Sequence, residues 1–520
     1  MVNLVENVAA AVDDHGDRTA VGFHGDEIPY SDLWGKTGAF ASALAEAGVE
    51  PGDRVGLYLP NLPQFVVGFH GTLRAGGVVV PMNPQYKTRE IEHLLSDSGA
   101  SVVVCLADLA PFVDAVRDDT DVERVVTVGG DADDVESVTF EEFCGTPGFD
   151  TVARGDDDLA CQPYTSGTTG QPKGVLLTHE NLRSNAEMSQ SLPVDGVRPD
   201  DKQLGVLPLF HIYGMTVVMN ATLFAGAAYY PLPAWDAQEA FDLVESESLT
   251  MLHGVPAMYN DMVSQPDADD RDLSSLRMCG VGGAGIPTEV LRQFESLFDA
   301  EIYEGYGLTE TSPVTHFNSA SEGRRVGSIG RTLPGVDARV VTDDFDDVDP
   351  VEAGPVDESD VDLDDITGEL VVAGPNVMRG YHNRPEATEA AFTEAGGKRW
   401  FHTGDIGYHD EDGFYYVVDR EKHMINTAGY NVYPREVEEL LFEHDAVADA
   451  AVVGVPDDRR GETVKAYVVK APGAAVTADD IREFCLQRLA EYKHPREVEF
   501  VDELPRTTTG KVQKFELRGE

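Results

Sequence analysis

Lysine is scarce in this 520-residue chain: 11 copies stand beside 28 arginines, and the 39 basic side chains face 93 acidic ones. The formal charge of -54 is spread along the chain. Like charge repels, so a nucleic acid or an anionic membrane is excluded as partner. The same excess predicts adaptation to a salt-rich cytosol, because ions at about 1 M screen charges beyond roughly 3 Å. Cysteine is also sparse. Cys105, Cys144, Cys161, Cys279 and Cys485 are scattered, odd in number and without a CxxC pair. That pattern argues for reduced thiols in a cytoplasm and against a zinc site. Met1-Val2-Asn3-Leu4-Val5-Glu6 has neither a basic region nor a long apolar run, so no signal peptide is expected. One charge-free stretch, 212–230, has the length of a membrane span. Asn220, several small residues and the following Pro231 and Pro233 favour a buried helix and strand there, and no membrane span.

A Walker A loop is missing too, since the GxxxxGK[ST] spacing does not occur. In its place stands Tyr164-Thr165-Ser166-Gly167-Thr168-Thr169-Gly170-Gln171-Pro172-Lys173-Gly174. Four aliphatic hydroxyls, three glycines and one ammonium share eleven residues. Glycines let backbone N–H groups approach an anion, hydroxyls donate further bonds, and Lys173 adds charge. This is the composition of a polyphosphate loop, flanked by apolar Leu159-Ala160 and Val175-Leu176-Leu177. In so lysine-poor a chain, Lys173, Lys422, Lys511 and Lys514 stand out because each sits in a Gly- or Thr-rich or sharply patterned segment.

The length exceeds what one hydrophobic core supports, so two or more domains are expected. Short β-branched runs such as 54–59, 78–81 and 101–105 alternate with amphipathic stretches such as Thr88–Leu95, in which Ile91, Leu94 and Leu95 share a helical face. The alternation predicts an α/β architecture with largely buried strands over residues 1–420. The acidic run 342–365, with no Lys or Arg, reads as a solvated loop. After Asp419-Arg420-Glu421-Lys422 the pattern changes. A helix at 436–441, strands at 450–455 and 465–469, a helix at 478–489 and a strand at 498–501 predict a small α+β domain over 421–520.

Two glycine clusters compete for a nucleotide. Gly280-Val281-Gly282-Gly283-Ala284-Gly285 fits GxGxxG, with Glu301 about twenty residues on, as in a dinucleotide-binding unit of an NAD oxidoreductase. That reading leaves 164–174 without a role. Other segments converge on ATP. Glu304-Gly305-Tyr306-Gly307-Leu308-Thr309-Glu310 offers an aromatic face, a hydroxyl and a carboxylate able to hold Mg²⁺ beside phosphates. Phe401-His402-Thr403-Gly404-Asp405 sets a carboxylate at a tight turn suited to a ribose diol, or His402 and Asp405 as a metal pair. Pro505-Arg506-Thr507-Thr508-Thr509-Gly510-Lys511 presents a lysine on a loop near the C-terminus.

Together these segments make the chain resemble the AMP-forming acyl-CoA synthetases of the acyl-adenylate-forming superfamily, which includes firefly luciferase and peptide-synthetase adenylation domains. The resemblance rests on Tyr164–Gly174, Pro208–His211, Gly282–Pro287, Tyr306–Glu310, Thr403–Asp405, Asp419–Glu438 and Gly510-Lys511, all in family order. It implies a large multi-subdomain N-terminal α/β domain and a small mobile α+β C-terminal domain. It also implies an ATP-dependent ligase that joins a carboxylic acid to CoA through an acyl-AMP, with Mg²⁺ as cofactor. The expected partners are ATP, CoA and the acid, with a homodimer left open and a cytoplasmic location.

By resemblance, Thr165, Ser166, Gly167, Thr168, Thr169, Gly170 and Lys173 hold the β- and γ-phosphates, and Gly283, Ala284 and Gly285 lie along the adenine. Tyr306 stacks near the adenine, with Asp405 and Arg420 on the ribose. Thr309 touches the α-phosphate, Glu310 holds the metal, and Lys511 bridges the acid carboxylate and the α-phosphate. Lys422 matches the hinge about which the small domain turns, and Gly429 and Tyr430 then approach the CoA channel. His211, Tyr213 and Gly214 border the acyl pocket. His423 stands where many relatives carry an acidic or small polar residue, and Asn426 replaces a lysine that some members use in thioester formation. Apolar surroundings without an acid to pair an amino group favour a medium- or long-chain fatty acid, with an aromatic acid such as benzoate or a cinnamate next.

Overall fold

The computed structural model describes residues 3–166, 172–321, 323–356, 361, 363–420, 423–427, 430–457, 459–489, 491–507 and 512–518. Two nine-stranded sheets frame the first three hundred residues and take in strands as far as Gly380–Tyr381. At the centre of one, the strands Thr19–Phe23, Ala228–Pro231, Lys202–Gly205, Met251–Gly254, Met278–Val281 and Ile302–Gly307 run parallel in that spatial order. The other has a parallel centre built on Arg54–Tyr58 between Val78–Pro81 and Val102–Leu106. The valine runs of Val78–Pro81 and Val102–Leu106 suit strands buried on both faces. Val78–Pro81 and Met251–Gly254, for example, are buried at every residue.

The helices start where the sequence supplies caps. Thr178 caps His179–Ser189 by accepting from Asn181 N–H, and Pro63 opens Pro63–Arg74. Thr88–Ser98 buries Ile91, Leu94 and Leu95 as its spacing predicts. Tyr213–Asn220 and Ala221–Phe224 are helical and Ala228–Pro231 is a strand, so 212–230 lies inside the large core. Among the described residues, no helix is long and apolar enough to cross a membrane.

A third, antiparallel sheet holds Asp337–Val341, Gly368–Ala373, Lys398–His409, Phe392–Ala395 and Tyr415–Arg420. The fourth sheet is separate in sequence and has its own core around Ile425, Val437, Val452, Val464 and Ile481. It comprises Ile425–Thr427, Tyr430–Val432, Val447–Asp457, Gly461–Lys470 and Glu497–Val501. Two details differ from expectation. The helix read over 478–489 stops at Leu486, although Leu489 beyond it still packs against the small domain's core. The acidic run 342–365 is not wholly loop: Leu363 is buried at the start of the short helix Leu363–Ile366.

Candidate active site

The phosphate-loop sequence sits on a β-hairpin. Tyr164–Ser166 pairs antiparallel with Pro172–Thr178, so Thr165 and Lys173 face each other across the stem. Gly167, Thr168, Thr169 and Gly170 lie outside the described residues, as does the Ser166 side chain. His93, from the helix Thr88–Ser98, braces the stem through a 2.8 Å bond between Nε2 and the Pro172 carbonyl. On the other edge Pro172–Thr178 pairs with Gly380–Tyr381.

That pairing introduces a residue that sequence reasoning missed. The Tyr381 ring lies 5.0 Å from Lys173 Nζ, and its hydroxyl donates to Glu310 Oε1 at 2.9 Å. Burial and the adjacent Glu310 charge push the Tyr381 phenol up, so it stays a donor. Glu310 is only 8 % exposed. Its backbone is fixed as well, since its carbonyl accepts from Met378 N–H at 2.7 Å. The turn that delivers Thr309 and Glu310 requires Gly307, where a Cβ would lie 1.9 Å from the Pro313 carbonyl oxygen.

Asp405 and Arg420 are cross-strand partners in the third sheet, and Arg420 Nε meets Asp405 Oδ1 at 2.9 Å. The other Asp405 oxygen accepts from the Tyr306 hydroxyl. Asp405 is buried while Arg420 keeps 38 % of its side chain exposed. The Asp405 charge raises the Arg420 pKa against the cost of burial, and the Glu310 charge adds to it. Lys173, Tyr381, Glu310, Arg420, Asp405 and Tyr306 therefore form one connected cluster. Gly404 takes a positive φ of 68° to turn the strand there, and its N–H donates to Glu369 Oε1 at 2.9 Å. His402 points elsewhere. Its Nδ1 meets Glu369 Oε2 at 2.7 Å and its Nε2 meets Thr393 Oγ1 at 2.8 Å, so His402 and Asp405 are not a metal pair. Among the described residues, no group of three or more His, Cys, Asp and Glu side chains is placed to hold a metal.

The glycine run follows the strand Met278–Val281 and precedes the helix Thr288–Phe298, a strand–turn–helix arrangement as its spacing predicts. Glu301 is not a ribose acceptor: it is exposed and takes a 2.6 Å bond from the Tyr303 hydroxyl. Gly285 instead lies against the Arg435 guanidinium of the helix Pro434–Phe442, while Ala284 is exposed.

Tyr213 and Gly214 lie in the π-helical segment Tyr213–Asn220, whose every residue is buried. Such wide turns are rare and concentrate at functional sites. A Cβ at Gly214 would meet the Pro208 carbonyl oxygen at 2.4 Å. His211 Nδ1 accepts from Tyr213 N–H at 3.3 Å. The Tyr213 hydroxyl lies 3.0 Å from Nδ1 of His253, a second residue without a sequence signal. Burial lowers the His253 pKa to about 4, which keeps the imidazole neutral. Lys422, Gly429 and Lys511 lie outside the described residues, as does the Tyr430 side chain. His423 Nδ1 is 3.5 Å from Asp419 Oδ1, and Asn426 N–H donates to Glu462 Oε2 at 2.9 Å.

Residues 8–382 match the model of the AMP-binding enzyme family, and 436–511 match that of the AMP-binding enzyme C-terminal domain. A long-chain-fatty-acid–CoA ligase of Bacillus subtilis is 36% identical over 97% of this chain and 92% of its own length. A feruloyl-CoA synthase of Amycolatopsis is 37% identical over 96% and 95%. Among solved structures, ATP-bound MatB of Rhodopseudomonas palustris superposes with a TM-score of 0.90 at 32% identity, covering 99% of this chain and 98% of that one. The apo form of the same MatB, at equal identity and coverage, scores 0.79.

Proposed function

The chain belongs to the AMP-binding enzyme family and is an AMP-forming acid–CoA ligase, and we propose that it activates a medium- or long-chain fatty acid. The single observation that carries the substrate class is the full-length similarity to long-chain-fatty-acid–CoA ligases. The buried apolar segment Tyr213–Asn220 supports it. An aromatic acid is the second reading. The feruloyl-CoA synthase similarity favours it, as does the polar Tyr213–His253 pair beside that segment.

In our reading the acid carboxylate attacks the α-phosphorus of ATP and pyrophosphate leaves. The CoA sulfur then attacks the acyl carbonyl and AMP leaves. Both reactants of the first step are anions, so alignment and charge neutralisation dominate the barrier. Thr165, Ser166, Gly167, Thr168, Thr169, Gly170 and Lys173 hold the β- and γ-phosphates. Gly283, Ala284 and Gly285 flank the adenine together with Tyr306. Asp405 and Arg420, already locked to each other, receive the ribose. Thr309 contacts the α-phosphate, and Lys511 neutralises charge between it and the acid. His211, Tyr213 and Gly214 border the acyl chain.

One carboxylate, Glu310, with an oxygen not used by Tyr381, fits Mg²⁺ shared with phosphate oxygens rather than an all-protein cage. Bound there, the ion would neutralise phosphate charge. Residues 1–420 form the large domain and 421–520 the small one, with Lys422 as the hinge and Gly429 and Tyr430 at the CoA channel. The acidic surface suits a salt-rich cytoplasm.

The test is kcat/KM in molar KCl across octanoate, palmitate, benzoate and cinnamate, with Mg·ATP and CoA. A preference of tenfold or more for the two fatty acids, about 1.4 kcal/mol, supports the primary reading. Preference for the ring acids selects the second.

A further inference from the structure

Arg435 is the second residue of the helix Pro434–Phe442, where a cation opposes the helix dipole. Its reason for being there lies outside its own helix. Nη1 donates to the Val417 carbonyl at 3.0 Å, on the strand Tyr415–Arg420 of the third sheet. The backbone N–H donates to Asp419 Oδ2 at 3.2 Å, one residue before the ribose candidate Arg420. The guanidinium also packs on the adenine-flanking loop, where a Cβ at Gly285 would lie 2.6 Å from Cζ. Within its helix, Nε pairs with Glu439 Oε1 at 2.8 Å. Buried Glu304, which opens the Tyr306–Glu310 segment, lies in the field of Arg435.

One side chain thus joins the helix that precedes the fourth sheet's long hairpin to the adenine loop and to the strand carrying Arg420. The superposition bears on which arrangement this is: the chain matches ATP-bound MatB at 0.90 and the apo form at 0.79.

We propose that Arg435 is a positioning residue that clamps the small domain onto the Gly283–Gly285 loop and so sets the arrangement in which acyl-adenylate forms. The proposal rests on the ligase reading above and adds to it a residue outside the groups that touch the reactants. The guanidinium makes a bond to a carbonyl, an ion pair and a flat contact with a glycine at once, which a compact tetrahedral ammonium reproduces only in part.

Two half-reactions measured on the full-length protein in molar KCl test it: acid-dependent ATP–pyrophosphate exchange, and thioester formation from supplied acyl-AMP and CoA. Arg435→Met keeps an unbranched apolar stem as far as the Nε position and loses the guanidinium with its polar contacts. Exchange is expected to fall about 10- to 100-fold, the range of a lost charge-assisted bond. Thioester formation should stay within about twofold, and Arg435→Lys should recover part of the exchange. An equal fall in both half-reactions, or no fall in either, overturns the clamp. Absence of exchange in the wild type would instead count against the ligase reading itself.

Discussion

The Tyr381 hydroxyl donates to Glu310 at 2.9 Å while the Tyr381 ring lies 5.0 Å from Lys173 Nζ. One aromatic side chain therefore couples the hairpin proposed to hold phosphate to the carboxylate proposed for the metal. Its hydroxyl orients Glu310, and its ring face attracts the ammonium without neutralising it.

Tyr381→Phe keeps the ring and removes the donor. A hydrogen bond to a charged group contributes about 1.5–3 kcal/mol, so kcat/KM for ATP should fall about 10- to 100-fold, with a higher Mg²⁺ requirement. Pyrophosphate release titrated against Mg²⁺ checks this. An unchanged titration would mean that Glu310 is held well enough without Tyr381.

Asp405→Asn leaves Arg420 without its ion pair and Tyr306 without its anionic acceptor. The KM for ATP should rise about tenfold or more, for one lost charged contact, and discrimination against 2′-deoxy-ATP should shrink. Comparing the two nucleotides for wild type and variant reads the ribose role directly. Equal loss with both nucleotides would remove Asp405 from the diol.

Much of this cluster is legible in the sequence. Tyr306, Glu310, Asp405, Arg420 and Lys173 stand out because each lies in or beside a sharply patterned, mostly Gly- or Thr-rich segment whose backbone constraints show in composition. Tyr381, His253 and Arg435 do not. Tyr381 acts from a two-residue edge strand, Gly380–Tyr381, too short to carry a period, and its partners come from 208 and 71 positions away. His253 sits in a strand that reads as core, where its ring is a buried neutral polar group. Arg435 reads in sequence as an ordinary exposed charge at a helix start. The parallel sheets are legible because strands such as Val78–Pro81 and Val102–Leu106 are apolar throughout, whereas the end of the helix at Leu486 has no signal of its own, since apolar residues continue to Leu489.

Glu304 makes stability depend on pH. Burial, only partly offset by a bond from Gly327 N–H and by the charges of Arg435 and Arg324, raises its pKa from 4.5 to about 7, and Glu439 adds to the rise. The folded state thus holds this proton more tightly than the unfolded chain. Its contribution is complete below pH 4.5 and is lost as pH rises through about 7. The stability of wild type relative to Glu304→Gln should therefore decline across that window by about 3 kcal/mol, at about 1.36 kcal/mol per unit. Denaturant unfolding of both proteins from about pH 5 to 8 checks the slope; a constant difference would contradict it.

The charge of -54 predicts that salt stabilises the fold. The melting temperature should rise by several degrees or more between about 0.05 M and 2 M KCl, although each kcal/mol in a chain this large moves it by only roughly 1 °C. Calorimetry at matched pH decides, and a flat or falling Tm would rule out adaptation to salt.

Lys511→Ala should abolish acid-dependent ATP–pyrophosphate exchange, by about 100-fold or more, yet spare thioester formation from supplied acyl-AMP. Equal loss of both half-reactions would refute that division of labour.

The central claim is that this chain adenylates an acid and passes the acyl group to CoA. Its most direct test is the stoichiometry of pyrophosphate, AMP and acyl-CoA formed from Mg·ATP in molar KCl, with a fatty acid present, with and without CoA. The account predicts sustained release of all three in equal amounts only when acid and CoA are both supplied. Pyrophosphate release that ignores CoA, or ADP in place of AMP, would contradict it.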